Sequence, residues 1–392
     1  MTNDRIKYID GLRALAVLSV VVFHAAKYDP GITNASNSLA SFLLRQGCHG
    51  VDLFFVISGF CLAYPTLARL HERDEATLDI VRYSARRLVR IVPPYYAAIL
   101  LLLGLELILR SLGITLISQT ALPAGLSATD VLKQALFLDK NVPLLNGSFW
   151  TLAIEFRWYF LFPILLWIWT KSPRAFAIIA TSSLVLLLTR AGSIDIFVLP
   201  AFMLGIVASH LHVTRCSVVR FALPSFFMLL PIAFIVSPAT NWNWSTSAIW
   251  QLTFFSLVVA AGEIKQIKAM LSTRYIVMIG MASYGIYLIH EPIIVLLEQQ
   301  LLSTGTLVCF SISAFVCVAT GLGFSWVAER PFVETSARDW LTRELEQVLS
   351  KWFAVSGIGR ALRLETPHRA MPHGLRAYSA ARQVEHGLHR YR

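Results

Sequence analysis

Eleven positions separate Arg13 from His24, and apart from Ser19 every residue between them in RALAVLSVVVFH is apolar. At about 100° per residue, eleven steps make about three turns plus 20°, so both side chains share one helix face, about 16 Å apart along the axis. A guanidinium binds phosphate through a planar fork of donors. An imidazole takes and returns protons near neutral pH. Burying either group in lipid is costly, which makes each a functional candidate. The plainer alternatives are a histidine bonded to a neighbouring helix and an arginine that only marks topology.

Four other stretches carry groups able to do chemistry. RYSARRLVRIVPPYY, residues 82–96, crowds Arg86, Arg87 and Arg90 at the start of an apolar run. A phosphorylated ligand at the membrane surface and an ordinary topology signal fit that spacing equally. In NGSFWTLAIEFRWYFLFP, residues 146–163, Glu155 sits inside an otherwise apolar helix and Arg157 follows two positions on. Neighbours at i, i+2 do not face each other, so each needs its own partner in the bundle or in a wet cavity. ASYGIYLIHEPII, residues 282–294, sets His290 and Glu291 ahead of Pro292, which is expected to loosen the helix. Ser283, Tyr284 and Tyr287 add hydroxyls suited to a polar passage, although tyrosines also form interfacial belts. GVDLFFVISGF, residues 50–60, offers Ser58–Gly59 for close helix approach, and an Asp52 that needs solvent or a partner.

The elements that must position these groups are membrane helices. Of 392 residues, 56% are hydrophobic and 15% charged, with a mean hydropathy of +0.61. Soluble domains carry about 25% charged residues, so this chain has too few to cover a water-facing surface. About ten segments reach the ~20 apolar residues that a span needs. They lie near 12–28, 48–66, 93–112, 149–170, 175–190, 196–213, 219–237, 246–262, 275–297 and 305–328, the fifth being the shortest. The expected class is an all-α polytopic membrane protein. Before the C-terminal tail is counted, Lys and Arg number sixteen on the side of the N-terminus and six on the other, which places both termini inside. Asp10 and Arg13 crowd the start of the first run, so it reads as an uncleaved helix rather than a signal peptide. Residues 1–332 form the membrane domain. Helical spacing of Trp340, Leu341, Leu345, Val348, Leu349 and Trp352 predicts an amphipathic interfacial helix over 333–357. A basic, disordered tail is expected over 358–392, and 329–392 is too short for a second catalytic domain. Five scattered cysteines without C-x-x-C spacing predict neither disulfides nor a metal site. The +11 charge is read as basic loops facing anionic lipid rather than nucleic-acid binding.

In order, YIDGLRALAVLSVVVFHA, FFVISGF, ARRLVRIVPPYY, FWTLAIEFRWYF, SYGIYLIHEP and AERPF resemble the motifs of the family-3 membrane acyltransferases. These enzymes O-acetylate bacterial surface glycans and related hydroxyl acceptors. The resemblance spans residues 8–332 and departs from the family pattern at Phe156–Arg157. It implies an inner-membrane enzyme that uses cytoplasmic acyl-CoA, usually acetyl-CoA, as a donor substrate, with no permanently bound cofactor. The acceptor would be a carbohydrate or glycolipid hydroxyl. Arg13, Arg86, Arg87 and Arg90 would hold the donor's phosphates, and the pantetheine arm would carry the thioester towards His24. His24 would act as general base or as acyl carrier. Glu155 would assist catalysis, and Asp10, Ser58, Tyr284 and His290 would serve substrate binding or orientation. The rival class is a multi-span transporter or flippase for a glycan or glycolipid. Such folds often show internal repeats, and none is visible in the sequence.

Overall fold

The first helix, α1 (Lys7–Tyr28), runs without an internal proline and stops at Asp29, whose backbone is extended (φ −77°, ψ 115°). Proline disfavours a helical residue before it, and Pro30 follows. Asp29 Oδ1 accepts from the backbone N–H groups of Gly31 and Ile32 at 2.7 and 3.1 Å and so opens α2 (Pro30–Asn34). The computed structural model describes residues 6–34, 38–73, 75–114, 128–138, 146–238, 244–301, 305–356 and 361–365.

Beyond α2, the chain forms α3 (Leu39–Arg45), a 3-10 turn and α4 (Gly50–Arg73), which together make one long span. A short strand β1 (Glu75–Asp79) leads into α5 (Ile80–Ser111), followed by α6 (Ala128–Ala135) and α7 (Phe149–Lys171). Next come α8 (Pro173–Thr189), α9 (Ile194–Thr214), α10 (Ala222–Val236) and α11 (Trp244–Glu263). The remaining helices are α12 (Lys265–Leu271), α13 (Arg274–Met281), α14 (Ser283–Leu301), α15 (Thr306–Phe324), α16 (Pro331–Glu334) and α17 (Ser336–Ser356). The strand β2 (Ala361–Glu365) closes the described chain.

This is an all-α multi-pass membrane protein. Among the described residues, eight helices are long and apolar enough to cross a membrane. The pair α13–α14 makes a ninth if its two helices count as one span, bent by 71° at the break. The fifth expected segment, 175–190, is realised as α8, whose 17 residues are fewer than the ~20 a span needs. The sequence placed a weak point at Pro292, but α14 runs straight through it. The break lies instead at Ala282, whose backbone (φ −88°, ψ 4°) leaves the helical region.

The first span belongs to an inner group of four: 61% of its apolar window is buried, as for Ile194–Thr214, with 67% for Leu39–Arg73 and Ser245–Glu263, against 11% for Ser217–Val236. Close packing beside it rests on glycines where α4 crosses α9. A Cβ added at Gly59 would stand 2.2 Å from the Phe202 carbonyl oxygen, and one at Gly205 2.2 Å from that of Val56. Only side chains without a Cβ let the two backbones meet there. At the start of α4, Asp52 finds the partner it required: His49 Nδ1 donates to it at 2.8 Å and Gln251 Nε2 at 3.1 Å, all buried.

The amphipathic pattern near the C-terminus forms α17, which lies along α5 with Arg82 Nε 3.5 Å from Glu346 Oε1 and leaves Trp340, Val348 and Trp352 exposed. Within the expected disordered tail, residues 361–365 are a strand instead, paired antiparallel with β1 so that Leu362 meets Leu78 and Leu364 meets Ala76. Leu364 is fully buried, and that burial orders the segment. Residues 357–360 and 366–392 of the interfacial and tail segments lie outside the described residues.

Candidate active site

Three of the four arginines expected to hold a donor converge on one cleft between α1, α4, α5, α7 and α14, with about 930 Å³ of empty space that is partly open to solvent. Arg13, Arg87 and Arg90 line it from two helices, with Ser58, Glu155, Tyr284 and Tyr287 further along. Asp10 flanks Arg13 at 3.9 Å, one turn before it on α1. The Arg87 guanidinium lies 5.8 Å from the centroids of both the Tyr83 and Tyr159 rings, which fix the fork by cation–π contact. Tyr284 Oη donates to the Ile91 carbonyl at 2.9 Å. Among the lining residues, Glu155 is the one acid against three arginines, so the cleft favours an anion.

Glu155 accepts from Ser58 Oγ at 2.7 Å and from Tyr159 Oη. Arg157 turns away, with Nε donating to Asp195 Oδ1 at 2.9 Å and Nη1 to the Phe137 carbonyl at 3.2 Å. Each has its own partner, as their i, i+2 spacing requires. Arg86 is exposed and lies outside the cleft.

His24 and His290 are not in the cleft lining; they form a buried cluster behind its far wall. That wall is Tyr287 and Thr151, whose hydroxyls bond at 2.6 Å. Tyr287 also donates to the Ser148 carbonyl at 3.2 Å, and its ring centroid is 5.1 Å from that of His290. The His24 and His290 rings meet edge-on, 4.7 Å between centroids, with His24 Nδ1 3.3 Å from His290 Nε2.

Backbone carbonyls assign the protons. His24 Nδ1 donates to the Val20 carbonyl at 2.9 Å and His290 Nδ1 to that of Tyr287 at 2.7 Å. Both neutral rings are therefore Nδ1–H tautomers. The Nε2 of His24 keeps its lone pair and lies 3.6 Å from Glu291 Oε1. Glu291 is itself clamped: Tyr28 Oη donates to Oε1 at 2.6 Å, Ser148 Oγ donates to Oε2 at 2.8 Å, and Lys27 Nζ stands 3.6 Å from Oε1. Gly147 makes room for the carboxylate, since a Cβ there would lie 2.8 Å from both of its oxygens.

The structure thus divides the expected residues into two groups. Arg13, Arg87, Arg90, Ser58, Glu155 and Tyr284 share the cleft, while His24 and His290 share the cluster behind Tyr287. Sequence reasoning noticed Glu291 but gave it no role, and it missed Tyr28 and Ser148. The signal available for Ser148 was its place at the start of α7; for Tyr28 there was none, because an aromatic at a helix end is ordinarily an interfacial anchor.

The profile of the family described as "Acyltransferase domain" matches residues 6–330, most of the chain. The chain belongs to this acyltransferase family. It is 26% identical over 328 residues to the O-acetyltransferase OatA of Staphylococcus aureus strain NCTC 8325, covering 74% of this chain and 51% of that protein. The same figures hold for OatA of strain COL. A further protein of strain COL, SACOL0978, whose O-acetyltransferase assignment is itself provisional, is 24% identical over 319 residues, 73% of this chain and 50% of its own. The chain spans about half the length of these curated relatives. No solved structure matches it.

Proposed function

We propose that this protein is an O-acyltransferase of the bacterial inner membrane, moving an acyl group, acetyl in the first instance, from cytoplasmic acyl-CoA to a hydroxyl of a carbohydrate or glycolipid acceptor. The observation that carries the reading is a three-arginine cleft whose far wall, Tyr287 and Thr151, is all that separates it from the His24–His290 cluster; in this reading that wall yields to let the donor's thioester reach His24. The axial rise of about 16 Å between Arg13 and His24 on one helix face suits a donor with phosphates at one end and a thioester at the other. Both termini are taken to face the cytoplasm, which sets Arg13, Arg87 and Arg90 on the side where acyl-CoA is made.

In this reading, the arginines bind the donor phosphates as bidentate forks. Glu155, held by Ser58 and Tyr159, keeps the middle of the cleft polar. His24 Nε2 takes the proton from the acceptor hydroxyl as that oxygen attacks the thioester carbonyl, and the thiolate of CoA leaves. The imidazolium so formed sits beside the Glu291 carboxylate, 3.6 Å away, which stabilises it. His290, taking its orientation from the Tyr287 carbonyl, holds His24 by its Nδ1–H.

The test uses inside-out membrane vesicles and acyl-labelled acetyl-CoA, comparing wild type with His24→Ala. Label on a glycan fraction with wild type only, while both proteins still bind the donor, is the expected result. Donor bound equally but never transferred by either would mean a protein that binds acyl-CoA without catalysing transfer, or another donor. No donor binding at all would return the transporter reading.

A further inference from the structure

Seven residues beyond Glu291 on α14, almost two turns later and so on the same face, lies Glu298. It is 1% exposed, and it meets Asp29, 2% exposed, at the end of α1 and Cys309, 2% exposed, on α15. One ligand atom from each of the three lies within 4.8 Å of the others. Cys309 Sγ donates to Glu298 Oε2 at 2.9 Å, and Asp29 Oδ1 is occupied by two backbone N–H groups. The remaining oxygens, Asp29 Oδ2 and Glu298 Oε1, are buried without a hydrogen-bond partner. Ser313, one turn after Cys309 on α15 and fully buried, adjoins Glu298 and Cys309, with its Oγ turned towards them but outside good hydrogen-bond geometry. Among the described residues, neither carboxylate has a basic partner.

Two buried carboxylates without a cation are costly, and orphaned oxygens in a native site call for an explanation. We propose that Asp29, Glu298 and Cys309 bind a divalent transition-metal cation of the zinc type, with Ser313 or a water as fourth ligand. Thiolate with carboxylates is a donor set that suits zinc and excludes magnesium or calcium, which take oxygen alone. A tetrahedral set at 2.0–2.3 Å from the ion has its ligand atoms about 3.3–3.8 Å apart. Closing the site therefore needs a contraction of about 1 Å between the more distant pairs. Binding replaces the thiol proton, which leaves to solvent, and the cation neutralises the carboxylates. The ion would tie the exit of α1 to α14 and α15. Tyr28, which holds Glu291, directly precedes Asp29, so occupancy would stiffen the reaction end of the molecule without touching substrate.

The experiment takes the full chain in lipid nanodiscs, strips it with a chelator, and titrates it with Co²⁺ alone and then Zn²⁺ alone. The expected result is one equivalent of Co²⁺ per chain with thiolate-to-metal absorption, displaced by Zn²⁺. In Cys309→Ser the thiolate band is lost, and in Glu298→Gln affinity falls at least tenfold. X-ray absorption on the zinc-loaded wild type, which needs no variant to fold, should count one sulfur neighbour with the rest oxygen. Binding well below one equivalent, a band that survives Cys309→Ser, unchanged affinity in Glu298→Gln, or a nitrogen-only shell would each overturn the site. A carboxylate pair sharing a proton would then account for the cluster. None of these readings depends on acyl transfer, so the site can fail while the transferase stands, and the reverse.

Discussion

Replacing Glu291 by glutamine tests the catalytic geometry at its most sensitive point. The substitution keeps the volume, can still accept from Tyr28 and can donate to Ser148, but it removes the negative charge 3.6 Å from His24 Nε2. For unit charges at that distance and an effective dielectric of about 20, the attraction to an imidazolium is about 4.6 kcal/mol. At about 1.4 kcal/mol per tenfold, its full loss would slow the chemical step by about 10³. Lys27 Nζ lies the same 3.6 Å from Oε1 with a side chain 40% exposed, and it already draws on part of that field. The expected fall in kcat is therefore between about 10² and 10³. The donor KM should stay unchanged, because the arginines that bind the donor lie in the cleft beyond the wall of Tyr287 and Thr151. The assay is acyl transfer in proteoliposomes with donor concentration varied. A kcat within about threefold of wild type would refute the idea that Glu291 stabilises a protonated His24.

Arg87→Ala and Arg90→Ala should each weaken donor binding about 10- to 100-fold, the worth of a charge-assisted hydrogen bond, with kcat at saturating donor little changed; titration with labelled acyl-CoA reads this directly. Gly147→Ala puts a Cβ 2.8 Å from both Glu291 oxygens, so the carboxylate must swing away from His24. Because a displacement of about 1 Å costs on the order of 10² in rate, kcat should fall at least tenfold while the protein still elutes as a single folded species. Gly59→Val, in contrast, meets the Phe202 backbone at 2.2 Å, which cannot yield cheaply. It should cost most of the folded protein in fluorescence-detected size exclusion, and normal yield would show that α4 and α9 have room to separate.

The expected donor residues came together, apart from Arg86, while His24, expected to be catalytic, and His290, expected to serve substrate binding or orientation, met each other but not the cleft. Arg86 follows from helix geometry: it precedes Arg87 by one residue on α5, about 100° round, so the two cannot face the same cleft. The separation of His24 from the arginine cleft depends on Tyr287 and Thr151, which belong to different helices and meet through a 2.6 Å hydrogen bond. No spacing within one segment encodes that contact.

What the sequence determined by itself is what one helix can carry. Long apolar runs set the membrane class, since backbone polar groups in lipid must be satisfied within the helix. The eleven-residue step between Arg13 and His24 aligned them on one face, because helical periodicity is a property of the backbone. The isolated Glu155 and the His290–Glu291 pair marked themselves through the cost of burial. What only the tertiary structure decided is how helices far apart in the chain turn towards each other. The bend at Ala282 rather than Pro292, the contact between His24 and His290 across 266 positions and the clamp of Tyr28 and Ser148 on Glu291 all depend on it. So does the pairing of residues 361–365 with β1. So does the meeting of Asp29, Glu298 and Cys309, since the spacing of the cysteines alone predicts no metal site. Helix rotation and crossing are fixed by side-chain packing and by close approaches such as Gly59 against Phe202, and those are properties of the assembled bundle.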